Sequence, residues 1–247
     1  MGLSSTLSNA LGGMNASQRG IDVLSRNVAN QGTPGYHRQA LVVTETAYGT
    51  SAQVRTAELS RAFNEALEKQ HLAAVSNSGF HSARASFLDR LQTHIGKPGD
   101  ANSLDTLYKG FENALQALAT NPNDVTTRAG VLNTAQSMVE QLNLLSGAVQ
   151  EMRAETEYQL SNAVSDLNRN LKSLADINIR ILDLSQDQTA RLSLMDERDR
   201  LVGMISENVD VRVSYRANGT VSLMTESGVG ILDVVPSEFR FNSGGAL

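Results

Sequence analysis

The chain has 247 residues, 40% of them apolar but only 4% aromatic, with no tryptophan, no cysteine and a formal net charge of −5. Without cysteine there are no disulfides, no thiol chemistry and no thiolate zinc sites, and the acidic balance speaks against nucleic acid or an acidic membrane surface as a partner. Few aromatics suit an enzyme pocket poorly, no apolar run reaches bilayer length, and the first basic residue, Arg19, comes too late for the charged start of a signal peptide.

Leu3, Leu7, Ala10, Met14, Ser17, Ile21, Leu24 and Val28 recur at alternating spacings of four and three. This is a heptad seam on a helix over residues 3 to 30, with one polar lapse at Ser17. The other faces carry Ser, Asn, Gln, Ala and Gly, and charge only at Arg19, Asp22 and Arg26. Gly12, Gly13 and Gly20 each cost about 1 kcal/mol relative to Ala, so the helix is marginal alone and needs a partner. That partner is either its own domain or another molecule. The helix runs into "NVANQGTPGYHRQ", residues 27 to 39. Pro34 and Gly35 suit the two central positions of a type II turn. Asn27 and Asn30 can bond carbonyls at the helix end or the backbone just beyond it.

Residues 36–59 look extended, with β-favouring runs around Leu41-Val42-Val43 and Val54 and a turn at Ala47-Tyr48-Gly49-Thr50. Helical period returns near Ser60, with Phe63, Leu67, Phe80, Phe87, Leu88, Leu91 and Ile95 as a broken stripe ending at "GKPGDANS". Ser103 reads as the N-cap of a helix bearing Leu104, Leu107, Phe111, Leu115 and Leu118. Asn121-Pro122-Asn123-Asp124 stops it. A third pattern runs from Val125 to Leu184, without proline and with Gly147 inside it. About 60 residues at about 1.5 Å each make a rod of roughly 90 Å, packed antiparallel on the two preceding helices. A short helix spans Leu194 to Ser206. The period then switches to two at Val209, Val211, Val213 and Tyr215. Asn218-Gly219 marks a hairpin, Val221 and Leu223 continue it, and Gly228 and Gly230 mark another turn. The predicted fold is mainly α: an N-terminal heptad helix, an extended connector, a long antiparallel helical rod, then a β-hairpin or meander. The predicted domains are 1–35, 36–59, 60–208 and 209–247, the last opening an incomplete β domain.

No catalytic constellation stands out. His37, His71, His81 and His94 lack metal-pair spacing, and there is no HExxH, no GxGxxG and no phosphate loop. "MDERDR" at 195–200 places Asp196, Glu197 and Asp199 beside basic neighbours. It reads as a solvated helix face with an Asp196–Arg200 pair. The sequons at Asn15 and Asn218 fall in a helix and a hairpin turn. No basic stripe with interleaved aromatics points to nucleic acid. No catalytic residue, cofactor or metal is expected.

"LSRNVANQGTPGYHRQ" closely resembles the signature that comes after the first helix in bacterial flagellar axial proteins, the rod, hook and hook-associated family. Ser25, Asn27, Val28, Ala29, Asn30, Thr33, Pro34, Gly35, Tyr36, Arg38 and Gln39 fill its places. The later segment "LSLMDERDRLVGMISENVDVRVSYRANGTVSLM" looks like the helix-then-hairpin passage of the hook-associated branch. The resemblance implies a structural, non-enzymatic part of the flagellum at the hook–filament junction. Such a part leaves the cell through the type III apparatus without a cleaved signal peptide and self-assembles through terminal helices. It implies an assembly motif at Asn27, Ala29, Asn30, Thr33, Pro34, Gly35, Tyr36 and Arg38, and a seam at Leu3, Leu7, Met14, Ile21, Leu24 and Val28. Implied partners are hook protein, hook-associated protein 3, further copies of the chain, and an export chaperone reached through a C-terminal part. Family members continue through further β domains to a C-terminal heptad helix, so a fragment or a shortened homologue is expected. The alternatives are another axial rod or hook protein, or a coiled-coil adaptor or binding module.

Overall fold

The computed structural model describes residues 3–48, 51–183, 185 and 187–244. The predicted hairpin-turn residues Gly49 and Thr50, and Leu184 at the end of the predicted rod, lie outside them. In chain order the elements are α1 (Leu3–Ala29), β1 (Gln39–Tyr48), β2 (Ser51–Arg61), α2 (Glu65–Ile95), α3 (Leu104–Thr120), α4 (Val125–Ile181), α5 (Gln188–Ser206), β3 (Val211–Tyr215), β4 (Val221–Thr225) and β5 (Gly230–Leu232). The fold is mainly helical, with one very long helix and small antiparallel sheets, as the periodicities imply. The described residues fall into two units. One comprises the stretch up to Ser78 with Ser165–Phe239, the other Gly79–Val164 with the stretch from Arg240. α2 and α4 contribute to both.

The first unit holds the main core. Leu167, Leu171, Leu174, Ala175, Ile177 and Ile181 of α4 meet Leu194, Leu201, Val202 and Ile205 of α5, with Leu72 of α2. The sheet closes this core in the order β3-β4-β5. Val211, Val213, Val221 and Leu223 point inward in alternation, as the period of two predicts, with Val213 opposite Leu223. Gly219 takes φ +92° in the Asn218-Gly219 turn. Two side-chain amides of α4 fasten extended backbone as a neighbouring strand would. Asn178 donates to Val221 O and accepts from Val221 N–H, at 2.9 and 3.1 Å. Asn168 does the same with Phe239, at 2.8 and 2.9 Å.

α5 begins earlier than its apolar pattern. Asp187 caps it by accepting from Ala190 N–H at 2.6 Å, so polar Gln188-Thr189 form its first turn. β1 and β2 form a separate antiparallel pair, from Gln39 opposite Arg61 to Tyr48 opposite Ser51, and α1 packs on it.

In the second unit α4 begins at an Asp124 cap, whose carboxylate accepts from Thr126 N–H at 2.8 Å. α4 continues unbroken through Gly147. Gly130 and Gly147 cost about 1 kcal/mol each, too little to break 57 residues. Ser103 occupies the cap position of α3, but its hydroxyl turns to Asp100 O and the Asp105 carboxylate, at 2.7 and 2.6 Å, and bonds no helix amide. Among this unit's described residues the buried apolar side chains are Ala148 and Met152. Of the predicted stripes, Phe80, Phe87, Leu88 and Leu115 are exposed while Leu91, Leu104, Leu107, Phe111 and Leu118 are half-buried, and on α4 Leu132, Val139 and Leu142 are exposed.

Candidate functional site

α1 has two unlike faces. One carries Asn9, Gly13, Ala16, Gly20, Val23, Asn27 and Asn30, which are half-buried or buried, and it faces β1 and β2. These side chains are small, and Val23, 5% exposed, is the apolar anchor. The heptad seam lies elsewhere on the helix. Leu7, Met14, Ile21, Leu24 and Val28 are all more than 60% exposed, and Leu3 has no described side chain. Of the two readings of the helix, docking on its own chain therefore belongs to the small-residue face. The apolar seam has no partner within the described chain.

Asn27 organises the segment beyond the helix. Its amide donates to Gln39 O and its oxygen accepts from Gln39 N–H, both at 2.9 Å. Tyr36 donates its hydroxyl hydrogen to the same oxygen at 2.8 Å. Asn30 turns back to donate to Arg26 O at 3.0 Å. Both asparagines thus do what the sequence suggested, and a side-chain amide starts the strand at Gln39. Between them, Tyr36 N–H donates to Thr33 O at 3.1 Å and Gly35 takes φ +79°, as a type II turn requires. Ala29, Thr33, Pro34 and Arg38 remain exposed.

Gly35 is needed for a second reason. A Cβ there would come 2.9 Å from Cβ of Arg200 and 3.2 Å from Asp196 O. The turn therefore sits directly on the backbone of α5. The sequence places this turn far from the helical rod, but the fold brings them into contact.

The seat is ionic, and here the expected solvated face of "MDERDR" is corrected. Asp196, Arg198 and Asp199 are buried, at 9%, 3% and 3% exposure. Arg61, at the end of β2, reaches Asp196 at 2.8 Å and Asp199 at 2.7 Å. Its contact with Asp199 Oδ2 is an ion pair without hydrogen-bond alignment. Arg198 binds the other Asp199 oxygen through two nitrogens at 2.9 and 2.7 Å and donates to Gly219 O. The expected Asp196–Arg200 pair does not form, because Asp196 is taken by Arg61. Arg200 pairs with Glu197 instead, at 2.5 Å on the exposed side. This pair holds the Glu197 carboxyl below, and the Arg200 guanidinium above, its ordinary value. Nothing in a single helix pattern distinguishes the buried pair from the exposed one. The missing information is Arg61, 135 residues from Asp196.

Aromatic rings pack against this cluster. The Arg61 guanidinium lies 4.7 Å from the Phe63 ring centre and that of Arg198 5.0 Å from Tyr215. Phe63 meets both Tyr215 and His37 edge-on. Burial pushes the Tyr215 hydroxyl well above its usual range. Burial, followed by the Asp196 charge, raises that of Tyr36. Another side-chain amide fastens β2 to the start of α5. Gln188 accepts from Leu59 N–H at 3.0 Å and donates to Leu59 O at 3.2 Å. Among the described residues no group of His, Cys, Asp or Glu could hold a metal ion. The site is built to hold two pieces of chain together, with each buried charge compensated by another.

Two family models match. That of the flagella basal body rod protein covers residues 7–37, most of α1 and its turn. That of the flagellar hook-associated protein FlgK helical domain covers residues 88–235, more than half of the chain. The chain belongs to the flagellar hook-associated protein FlgK family. It is 25% identical over 244 residues to flagellar hook-associated protein 1 of Bacillus subtilis (strain 168), covering 93% of this chain and 48% of that protein. To the protein of the same name from Escherichia coli (strain K12) it is 23% identical, covering 93% of this chain and 43% of that one. The figures for Salmonella typhimurium are 23%, 92% and 42%. The chain thus spans about half the length of the curated relatives it matches. The flagellar hook junction protein FlgK from Burkholderia pseudomallei shares the fold, with a TM-score of 0.58 and 24% identity over 67% of this chain and 29% of that chain. The family is one of structural flagellar proteins rather than enzymes, and its place is the bacterial flagellum. No helix among the described residues is long and apolar enough to cross a membrane.

Proposed function

We propose that this chain joins the flagellar hook to the filament, leaves the cell unfolded through the type III export apparatus, and assembles through α1. The observation that carries this reading is the division of α1 into two faces. The small-residue face is occupied by the chain itself, while an almost uncharged apolar seam is left open along the helix. Monomeric proteins rarely expose so continuous an apolar row, and such rows mark interaction sites. A charged seam would be costly where neighbouring subunits bury it. The motif residues Asn27, Tyr36 and Gly35 would then set the direction in which α1 leaves the body of the subunit. Residues 1–35 act as the assembly segment, 36–59 as the connector, 60–208 as the rod and 209–247 as the start of a β domain. The partners would be hook protein, hook-associated protein 3 and further copies of this chain, with an export chaperone before secretion. The alternative of another rod or hook protein rests on residues 7–37 alone, and the longer match at 88–235 favours the hook-associated role.

An in-frame deletion of the gene, complemented by the full-length gene, tests the reading. The deletion should leave hooks intact and shed unpolymerised filament protein into the medium, and complementation should restore attached filaments. Attached, normal filaments in the deletion strain would refute the junction role.

A further inference from the structure

The buried cluster under the turn includes one group that titrates near neutral pH. His37 lies two residues after Gly35, and its Nδ1 lies 3.1 Å from Gly35 O, 3.4 Å from Asp196 Oδ1 and 3.9 Å from Asp199 Oδ2. All three neighbours are acceptors, so Nδ1 carries hydrogen in either charge state. The ring stands edge-on to Phe63 at 5.3 Å, and the side chain is 20% exposed. The same few atoms form the seat of the turn, since Gly35 approaches Asp196 O and Arg200 while His37 touches the Asp196 carboxylate. We propose that His37 is a proton-operated latch, whose imidazolium clamps the turn and α1 onto α5 and whose deprotonation loosens that grip. The latch stands on the geometry of the cluster. Only its consequence for subunit assembly rests on the role proposed above for α1.

The charges around His37 decide the sign. α5 presents Asp196 and Asp199, with Arg200 and Glu207 lining the adjoining cleft. β2 presents Arg61, and α2 lines the cleft with Glu68 and His71. Asp199 is already shared between Arg61 and Arg198. Among the described residues, the guanidinium that reaches Asp196 is that of Arg61 alone, whereas Asp199 holds two, so an imidazolium finds its stronger attraction at Asp196. Bonding to Asp196 raises the imidazole above its usual value, against the opposing effects of burial and Arg61. A raised folded-state value means that the stabilisation is fully present below about pH 6.5, the ordinary histidine value, and is lost as pH rises through the raised one. The docked turn therefore loosens from near neutrality upward.

Hydrogen exchange of the full chain between about pH 5.5 and about pH 8.5, corrected for intrinsic exchange, tests this. One pKa unit corresponds to tenfold in the docking equilibrium. Protection at Tyr36 and Gln39 should therefore fall about threefold or more, with a midpoint above 6.5, while β3 and β4 stay constant. His37→Gln, which keeps a hydrogen donor but cannot titrate, should give a flat profile, and His71→Gln should keep the wild-type one. A flat wild-type profile, or a dependence that survives in H37Q or vanishes in H71Q, would overturn the latch. Should H37Q fail to fold, the imidazole resonances of His37 in the wild-type chain decide, and a value at or below 6.5 overturns it. Filament attachment by variants of the α1 seam reports separately on the assembly role.

Discussion

The two ends of α4 carry the same apolar periodicity and meet opposite fates. From Leu167 to Ile181 the stripe is buried, with Leu171 and Leu174 at 0% exposure. Towards the N-terminal end the large stripe residues lie open, with Leu132 at 65% and Val139 at 52%. The difference lies in what is available to cover each stripe. The C-terminal part meets α5 and the β3–β5 sheet, whose own inward residues complete one core. Periodicity specifies a face, and burial requires a second surface. The same contrast recurs around α1, where the small-residue face is covered and the more apolar seam is not.

The sharpest break of this contrast is a matched pair of substitutions on one helix. Leu171→Asp buries an unpaired charge and should cost about 4–5 kcal/mol or more, enough to unfold the unit. Leu132→Asp should change stability by less than about 0.5 kcal/mol. Thermal unfolding of both variants checks the pair, and comparable losses would show that the open stripe is covered.

Next in size is the ionic seat. Asp199→Ala removes the carboxylate shared by Arg61 and Arg198 and should cost about 3–5 kcal/mol, because buried guanidinium groups lose their partner. Denaturant titration should show this loss, whereas Glu197→Ala, on the exposed side of the same turn of α5, should stay within about 1 kcal/mol.

Gly35→Val combines a disfavoured positive φ with a collision against Arg200 and should cost about 1–3 kcal/mol. Increased hydrogen exchange should appear at residues 33–39 and at the start of α5, while β3 and β4 stay protected. Gly20→Ala should act the other way. A Cβ at Gly20 meets nothing within 4 Å, so the helix should gain about 1 kcal/mol, read as slower exchange along α1.

Local chemistry made much of the fold legible. The Asn218-Gly219 hairpin, the alternation of Val211 and Val213, the unbroken run through Gly147 and the Pro34-Gly35 turn each depend on neighbouring residues, and each is present. The buried state of Asp196 and Asp199 was not legible, because it depends on Arg61 arriving from β2. Nor was Leu72, which sits off the α2 stripe yet is the α2 residue that enters the core. Apolar pattern named the stripe, but only the packing partner selected which residue of α2 is covered. Of the site, the roles of Asn27, Asn30 and Gly35 were readable from turn chemistry. The seat of the turn on α5 and the presence of His37 within it required the tertiary structure.

The most direct test of the two-faced helix is one double substitution, Ile21→Asp with Leu24→Asp, in the full-length gene expressed in the deletion strain. Both side chains are more than 60% exposed. The melting temperature of the purified variant should therefore stay within the change that about 0.5 kcal/mol produces, while filament attachment is lost. Normal attachment would contradict the assembly role of the seam, and a collapsed melting temperature would show that the seam is buried on its own chain.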